Sequence, residues 1–173
     1  MRRAFAVVVA LLIWAPLFAE ESGVESRRHW VVSTNLAYLT LSAISTKPTN
    51  TFLVLPLESQ ISLCPRLSVN PALTFLYYHN VADLAPGAML LGECGIGFHP
   101  GLRGLQGWSI ALAPGFAYSI DSHLVGIVVS AEAGFQWILG RGLFLGLLGG
   151  GRFVHMDGTL VMPDLKFRLG WAQ

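Results

Sequence analysis

The chain has 173 residues, of which 53% are hydrophobic and 12% are charged, and its formal net charge is +1. A soluble domain carries about 25% charged residues, and a domain of this length keeps much of its surface in water. So little charge therefore favours a chain that lies in lipid. No basic cluster follows Arg27 and Arg28, so we do not expect nucleic acid as a partner.

The N-terminus has the pattern of a secretory signal peptide. Arg2 and Arg3 form a basic start, residues 4–14 are an unbroken apolar run, and cleavage is expected after Ala19. A membrane anchor is the alternative, but the run is shorter than the roughly 20 residues that a helical span needs. The predicted organisation is a signal peptide over 1–19, a short polar tail over 20–28 and one domain over 29–173.

Beyond residue 28, alternation of apolar and polar residues predicts strands. In the segment 124–139, one parity is apolar, whereas Ser130, Glu132 and Gln136 lie on the other. The same test finds eight segments, at about 29–41, 51–63, 67–79, 87–98, 107–119, 123–138, 143–155 and 161–172. An even number of strands of this length is typical of a membrane barrel. The predicted fold is therefore all-β, an eight-stranded antiparallel up-and-down transmembrane β-barrel.

The charged residues of these segments lie on the parity opposite to the apolar one. They are Glu58, Glu93, Glu132, Arg152, Asp164, Lys166 and Arg168. This pattern predicts an apolar exterior and a polar network in the lumen, where eight strands leave room only for side chains. The expected turns place Arg152 opposite both Ser130 and Asp164. We therefore expect Arg152 to bridge Glu132 and Asp164 at the centre of a plugged lumen.

Aromatic residues on the apolar parity predict two belts, one at each end of the barrel. Tryptophan and tyrosine favour the membrane interface because one part of each ring is apolar and another seeks a hydrogen-bond partner. The belt residues are Trp30, Trp108, Trp137, Trp171, Tyr38, Tyr77 and Tyr118. The alternative is a soluble barrel with the tryptophans in its core.

The last strand, from Asp164 to Trp171, alternates charged or small residues with leucine and aromatic residues. Together with the signal peptide and the eight segments, this run resembles small barrels of the OmpX/OmpW-like superfamily. The resemblance implies export to the bacterial outer membrane, with the lipid bilayer and the barrel-assembly machinery as partners. Gln173 departs from these families, which usually end in phenylalanine.

Two functions remain open. One is a non-enzymatic barrel with a structural or surface-interaction role. The other, which the resemblance implies, is OmpW-like passage of small apolar molecules through a lateral opening. Pro56 and Pro71 lie mid-strand on neighbouring strands, nearly opposite each other, and cannot donate to the ladder, so they predict a weak seam at that place.

We expect no catalytic residue, no cofactor and no metal site. His79, His123 and His155 lack the tight spacing of metal ligands. An outer-membrane lipase or acyltransferase would need a His/Ser constellation, which the sequence does not reveal. Cys64 and Cys94 lie at positions that do not favour a disulfide.

Overall fold

The structure is a computed structural model that describes residues 29–45, 51–79, 86–101 and 104–173. The predicted signal peptide over 1–19 and the polar tail over 20–28 lie outside the described residues.

Eight antiparallel strands close into a barrel in chain order, so the predicted up-and-down β-barrel is confirmed. The strands are β1 Trp30–Asn35, β2 Thr51–Cys64, β3 Leu67–His79, β4 Gly87–Phe98, β5 Gly107–Ser119, β6 Val125–Ile138, β7 Leu143–His155 and β8 Thr159–Ala172. From β2 to β8, the predicted boundaries agree with these to within two residues. We call the end that holds Trp30 and Gln173 the termini end, and the opposite end the loop end.

The first predicted strand, 29–41, is wrong beyond residue 35. β1 is six residues long, and the α-helix α1, Leu36–Ser45, follows it directly. Within the part of the chain that the structure describes, no helix is long and apolar enough to cross a membrane. The helix contains no charged residue, and it contacts β2 and β8 at the loop end.

Pro56 explains why β1 ends early. In the register of β1 and β2, Ser33 pairs with Glu58, so the next hydrogen-bonded pair would join Asn35 to Pro56. Proline has no N–H to donate, and the ladder stops there. Asn35 instead begins the helix, because its Oδ1 accepts a hydrogen bond of 3.0 Å from the Ala37 N–H.

Glycine allows the wall to bend where β6 and β7 meet. A Cβ atom on Gly134 would lie 2.0 Å from the Leu147 carbonyl oxygen, and one on Gly150 would lie 2.0 Å from the Ala131 oxygen. No larger residue fits at such a distance from the neighbouring backbone. These glycines are therefore part of how a narrow barrel closes.

Two apolar clusters lie inside the barrel, one toward each end. The cluster at the termini end contains Val31, Leu105, Phe144 and Ala172, with Ile138 packed against it. The methionine cluster, toward the loop end, contains Leu91, Ala117, Val128 and Val154, with Met89, Met156 and Met162 packed against it. The charged residues of the lumen lie between these clusters along the strands.

The Asn35 side chain connects three elements, since its Oδ1 also accepts a hydrogen bond of 3.1 Å from Phe167 on β8. We expect Asn35→Ala to lower the free energy of unfolding by about 1–2 kcal/mol, because two N–H groups lose their acceptor. Urea unfolding in detergent micelles, followed by tryptophan fluorescence, measures this change. Asn35→Ser is the matched control and should lose less, because serine still caps a helix. An Asn35→Ala variant as stable as the parent protein would contradict this role.

Candidate functional site: the charged lumen

All seven charged residues predicted for the lumen are buried inside the barrel, and each is at most 9% exposed. They alternate along their strands with exposed apolar residues; Glu58, for example, lies next to Leu57, which is 57% exposed. The side-chain period of a strand fixes this division between inside and outside.

Two cations of β8 share two carboxylates across the lumen. Arg168 Nη2 lies 2.6 Å from Glu132 Oε1, and its Nε contacts Glu58 Oε2. Lys166 Nζ lies 2.7 Å from Glu132 Oε2 and 3.5 Å from Glu58 Oε1. Glu132 and Glu58 therefore each receive both cations, and the four side chains join β2, β6 and β8.

Arg152 forms the second part of the network, with partners that differ partly from the prediction. Its Nη2 lies 2.9 Å from Glu93 Oε2 and 3.3 Å from Asp164 Oδ2, so the contact with Asp164 is present. The expected contact with Glu132 is wrong, because Lys166 and Arg168 engage that carboxylate.

The register of the last hairpin explains the difference. Ser130 pairs with Arg152, as predicted, but Met162 rather than Asp164 lies opposite Arg152 on β8. Asp164 pairs instead with Gly150, one step of the lumen face toward the termini end. The Arg152 guanidinium also reaches the Glu93 carboxylate on β4.

The lumen network is suited to holding charge in place rather than to moving protons or binding a metal. Each of the four carboxylates lies within 3.5 Å of a cation. A carboxylate that is paired in this way is neither a free base nor an open metal ligand. The arrangement therefore fills this part of the lumen with paired charges.

Removal of one shared carboxylate should weaken the whole barrel. We expect Glu132→Ala to lower the free energy of unfolding by about 3–5 kcal/mol, because Lys166 and Arg168 then lose a buried partner. The exposed Asp157 serves as the control, since Asp157→Asn should change stability by no more than about 0.5 kcal/mol. Both variants are compared by urea unfolding in micelles. Equal stabilities would mean that the network does not hold the barrel together.

The predicted tryptophan belt lies on the outward parity at the termini end. Trp30, Trp108 and Trp171 are 41%, 62% and 49% exposed. Trp137 differs, because it is only 8% exposed and its ring centroid lies 4.8 Å from that of Phe135. Trp137 is therefore the covered member of an aromatic patch rather than an exposed anchor.

Of the three tyrosines predicted for the second belt, Tyr38 does not lie on the exterior. Tyr77 is 36% exposed on β3, and the Tyr118 hydroxyl lies 3.0 Å from His123 Nδ1 near the loop end. Tyr38 lies on α1, and its hydroxyl donates to Asp164 Oδ1 over 2.5 Å. The placement of Tyr38 in an outward belt is therefore wrong, because the residue belongs to a helix that faces the lumen network.

The two prolines of the predicted seam are not opposite each other. Pro56 pairs with Thr74, and Pro71 pairs with Cys94 on β4. β2 and β3 are paired throughout Thr51–Glu58, and their ladder is interrupted beside Pro71. Only Pro71 thus affects the contact between β2 and β3.

Sequence reasoning missed the side chains that close the termini end. Ser68 Oγ donates to Asn70 Oδ1 over 2.8 Å and lies 3.0 Å from His99 Nε2. Burial lowers the pKa of His99, so its ring is neutral at pH 7. His99 Nδ1 contacts no orienting carboxylate among the described residues, and Ser68 and His99 are both 0% exposed. The pair is therefore a packed closure and not an accessible nucleophile.

The burial of Leu105 could not be predicted from alternation either, because this residue lies in the connection between β4 and β5. It is nevertheless 1% exposed, since it packs against Val31, Phe144 and Ala172 inside the termini end. Only the folded connection brings it there.

Among the described residues, no group of three His, Cys, Asp or Glu side chains is placed to hold a metal ion. Cys64 and Cys94 are exposed, and neither forms a disulfide. A scan against protein-family models gave no match, and searches of the curated proteins and of the solved structures gave none either.

Proposed function

We propose that this chain is a non-enzymatic β-barrel of the bacterial outer membrane, with a polar, plugged lumen and a structural or surface-interaction role. The proposal includes export by the signal peptide and insertion into the lipid bilayer by the barrel-assembly machinery. Small barrels of the OmpX/OmpW-like superfamily are the proposed relatives, and no cofactor is required. The observation that carries the proposal is the inversion of charge and apolar surface across the wall.

The inversion is clearest midway along the strands. Leu57, Leu112 and Leu165 are 57%, 56% and 62% exposed, whereas the neighbouring Glu58 and Lys166 are 5% and 4% exposed. In water, such a barrel would expose its apolar side chains and bury its charges, and both arrangements are unfavourable. In a bilayer, the exterior side chains contact lipid and the charges pair inside.

The loop end supplies the surface for an interaction role. In barrels of this class both termini lie in the periplasm, so the loop end would face the outside of the cell. Exposed polar residues, among them Asp121, His123 and Asp157, lie in its short connections. The ion-paired lumen beneath them supports a plug rather than an open diffusion pore.

Gel mobility of purified outer membranes tests the proposal. A folded membrane barrel migrates faster unboiled than boiled, and we expect this chain to do so in the outer-membrane fraction. An outer-membrane protein of similar size is run beside it as the control. Recovery in the soluble periplasm, or identical mobility before and after boiling, would contradict the proposal.

An arginine on the exterior should be costly only at the depth of the hydrocarbon. Leu165 lies at the middle of β8, whereas Leu63, which is 64% exposed, lies near the end of β2. We expect Leu165→Arg to destabilise the barrel in lipid vesicles by about 2–4 kcal/mol and Leu63→Arg by about 0–1 kcal/mol. Folding in vesicles at increasing urea measures both. A protein whose exterior faces water would tolerate the two changes equally.

A second function, passage of small apolar molecules through a lateral opening near Pro56 and Pro71, has one observation in its favour. Beside Pro56, the helix α1 and not a strand lies between β2 and β8.

A further inference from the structure

The barrel wall lacks a strand over part of its height. β1 pairs with β2 only at residues 58–61 and with β8 only at 168–172. Toward the loop end, the edges of β2 and β8 continue without β1 between them, over 51–57 and 159–167. We call this interval the β2–β8 gap.

Prolines on both edges show that the gap is built into the wall. Ser62 N–H donates to His29, so the even residues of β2 direct their backbone groups toward β1. Because backbone groups alternate along a strand, Pro56 has its nitrogen on the gap side. Strands of a sheet tolerate proline at a free edge of this kind.

The opposite edge has the same feature. Gln173 N–H donates to Trp30, so the odd residues of β8 face β1, and the nitrogen of Pro163 faces the gap. A strand that entered the gap would therefore lack one donor from each neighbour, opposite Pro56 and opposite Pro163.

The helix α1 closes the gap and makes polar contacts with both of its edges. A helix is about 10–12 Å wide, which matches two strand spacings of about 4.8 Å. Tyr38 donates to Asp164 on β8, and the Val54 N–H of β2 donates to Ser42 Oγ over 2.8 Å. The other face of α1 presents apolar side chains, with Leu41 47% and Ile44 72% exposed.

The methionine cluster lies inside the barrel at the level of the gap. Met162, on β8, pairs with Arg152 across the β7–β8 ladder, so the cluster borders the charged network. Methionine is unbranched and adapts its shape to different apolar partners. The half of the lumen toward the loop end therefore has apolar walls. The charged network bounds it toward the termini end, and we call this boundary the charged floor.

We propose that α1 is a displaceable stopper of the β2–β8 gap, and that its displacement admits the tail of a single-chain cationic amphiphile to the methionine cluster. The inference rests on the proposed function, because the ligand would enter from the bilayer. It assigns the lateral opening to the gap between β2 and β8, and not to a seam between β2 and β3.

The charge of the lumen decides which head group fits. Four buried carboxylates face three buried cations, which leaves one excess negative charge among the described residues of the lumen. Displacement of α1 removes the Tyr38 hydroxyl from Asp164, which lies at the border of the charged floor. An ammonium head can replace that donor, whereas a carboxylate head is repelled.

A disulfide that locks α1 to β2 tests the stopper. Ser42 Oγ accepts a hydrogen bond from the Val54 N–H, so these two positions are chosen for the pair Ser42→Cys and Val54→Cys, in a background with Cys64→Ser and Cys94→Ser. The matched control is Ile110→Cys with Ala133→Cys, since these residues pair between β5 and β6.

The probe is a dodecyl chain with a terminal diazirine and either an ammonium or a carboxylate head, added to the barrel in lipid vesicles. After illumination, mass spectrometry locates adducts on the lumen residues Met89, Val128 and Met162, and on the exterior residues Ile127 and Val161. We expect the oxidised lock to lower lumen adducts by about tenfold or more, and reduction to restore them. The control disulfide should have no effect, and the ammonium probe should label the lumen more than the carboxylate probe.

Tyr38→Phe provides a second variant that keeps the ring of the stopper. It should raise lumen adducts by about tenfold, because a hydrogen bond to a buried carboxylate is lost while the packing remains. Lumen adducts that are equal in the oxidised and reduced lock would overturn the proposal, as would a level in Tyr38→Phe no higher than in the parent protein. Equal lumen labelling by the two probes would overturn the preference for a cation.

Gel mobility of the same samples distinguishes failure of the stopper from failure of the proposed function. A barrel that is heat-modifiable in vesicles but lacks lock-dependent labelling contradicts the stopper alone. A chain that is not heat-modifiable contradicts the proposed function itself.

Discussion

Each charge inside the narrow lumen needs a partner, and the rest of the structure depends on that pairing. The cations lie on β7 and β8, whereas Glu58, Glu93 and Glu132 lie on β2, β4 and β6. Most of the ion pairs therefore cross the lumen, whereas Arg152 and Asp164 connect the neighbouring strands β7 and β8. The crossing pairs fix the distances between opposite walls. A slip of one residue in any of these strands would turn its charge toward the exterior, so the same pairs also hold the register.

Proline sets the second constraint, which acts on the backbone rather than on side chains. Pro56 removes the donor that Asn35 would need, so β1 ends and α1 begins. On the facing edge of β8, Pro163 also lacks an N–H to donate toward the gap. The wall consequently consists of a continuous sheet at the termini end and of a sheet closed by a helix toward the loop end. The helix is tied to the lumen network through Tyr38 and Asp164, so the two constraints meet at one hydrogen bond.

Parity explains how much the sequence could predict. Alternation assigns each side chain to one face, which is why the lumen charges of β2, β6 and β8 could be located before the fold was known. In β4 and β7, glycines blur the alternation, and the charges of Glu93 and Arg152 themselves helped to choose the register. The helix α1 could not be predicted in this way, because residues 36–41 are apolar on both parities except for Thr40, and the effect of Pro56 depends on which residue lies opposite. The partner of Glu132 also depends on distances across the lumen, which local pattern does not contain. Ser68 and His99 meet only because β3 and β4 bring distant residues to the same end.

The position of the network relative to the gap limits what a lateral opening can do. The gap lies beside the methionine cluster, whereas the ion pairs and then the cluster of Val31, Leu105 and Phe144 lie between it and the termini end. A molecule that entered beside α1 would have to break buried ion pairs to continue along the lumen, and such a step is strongly unfavourable. Entry from the side would therefore lead to a chamber that the ion pairs close toward the termini end. The architecture supports capture and release on one side of the plug, and it opposes passage from one end of the barrel to the other.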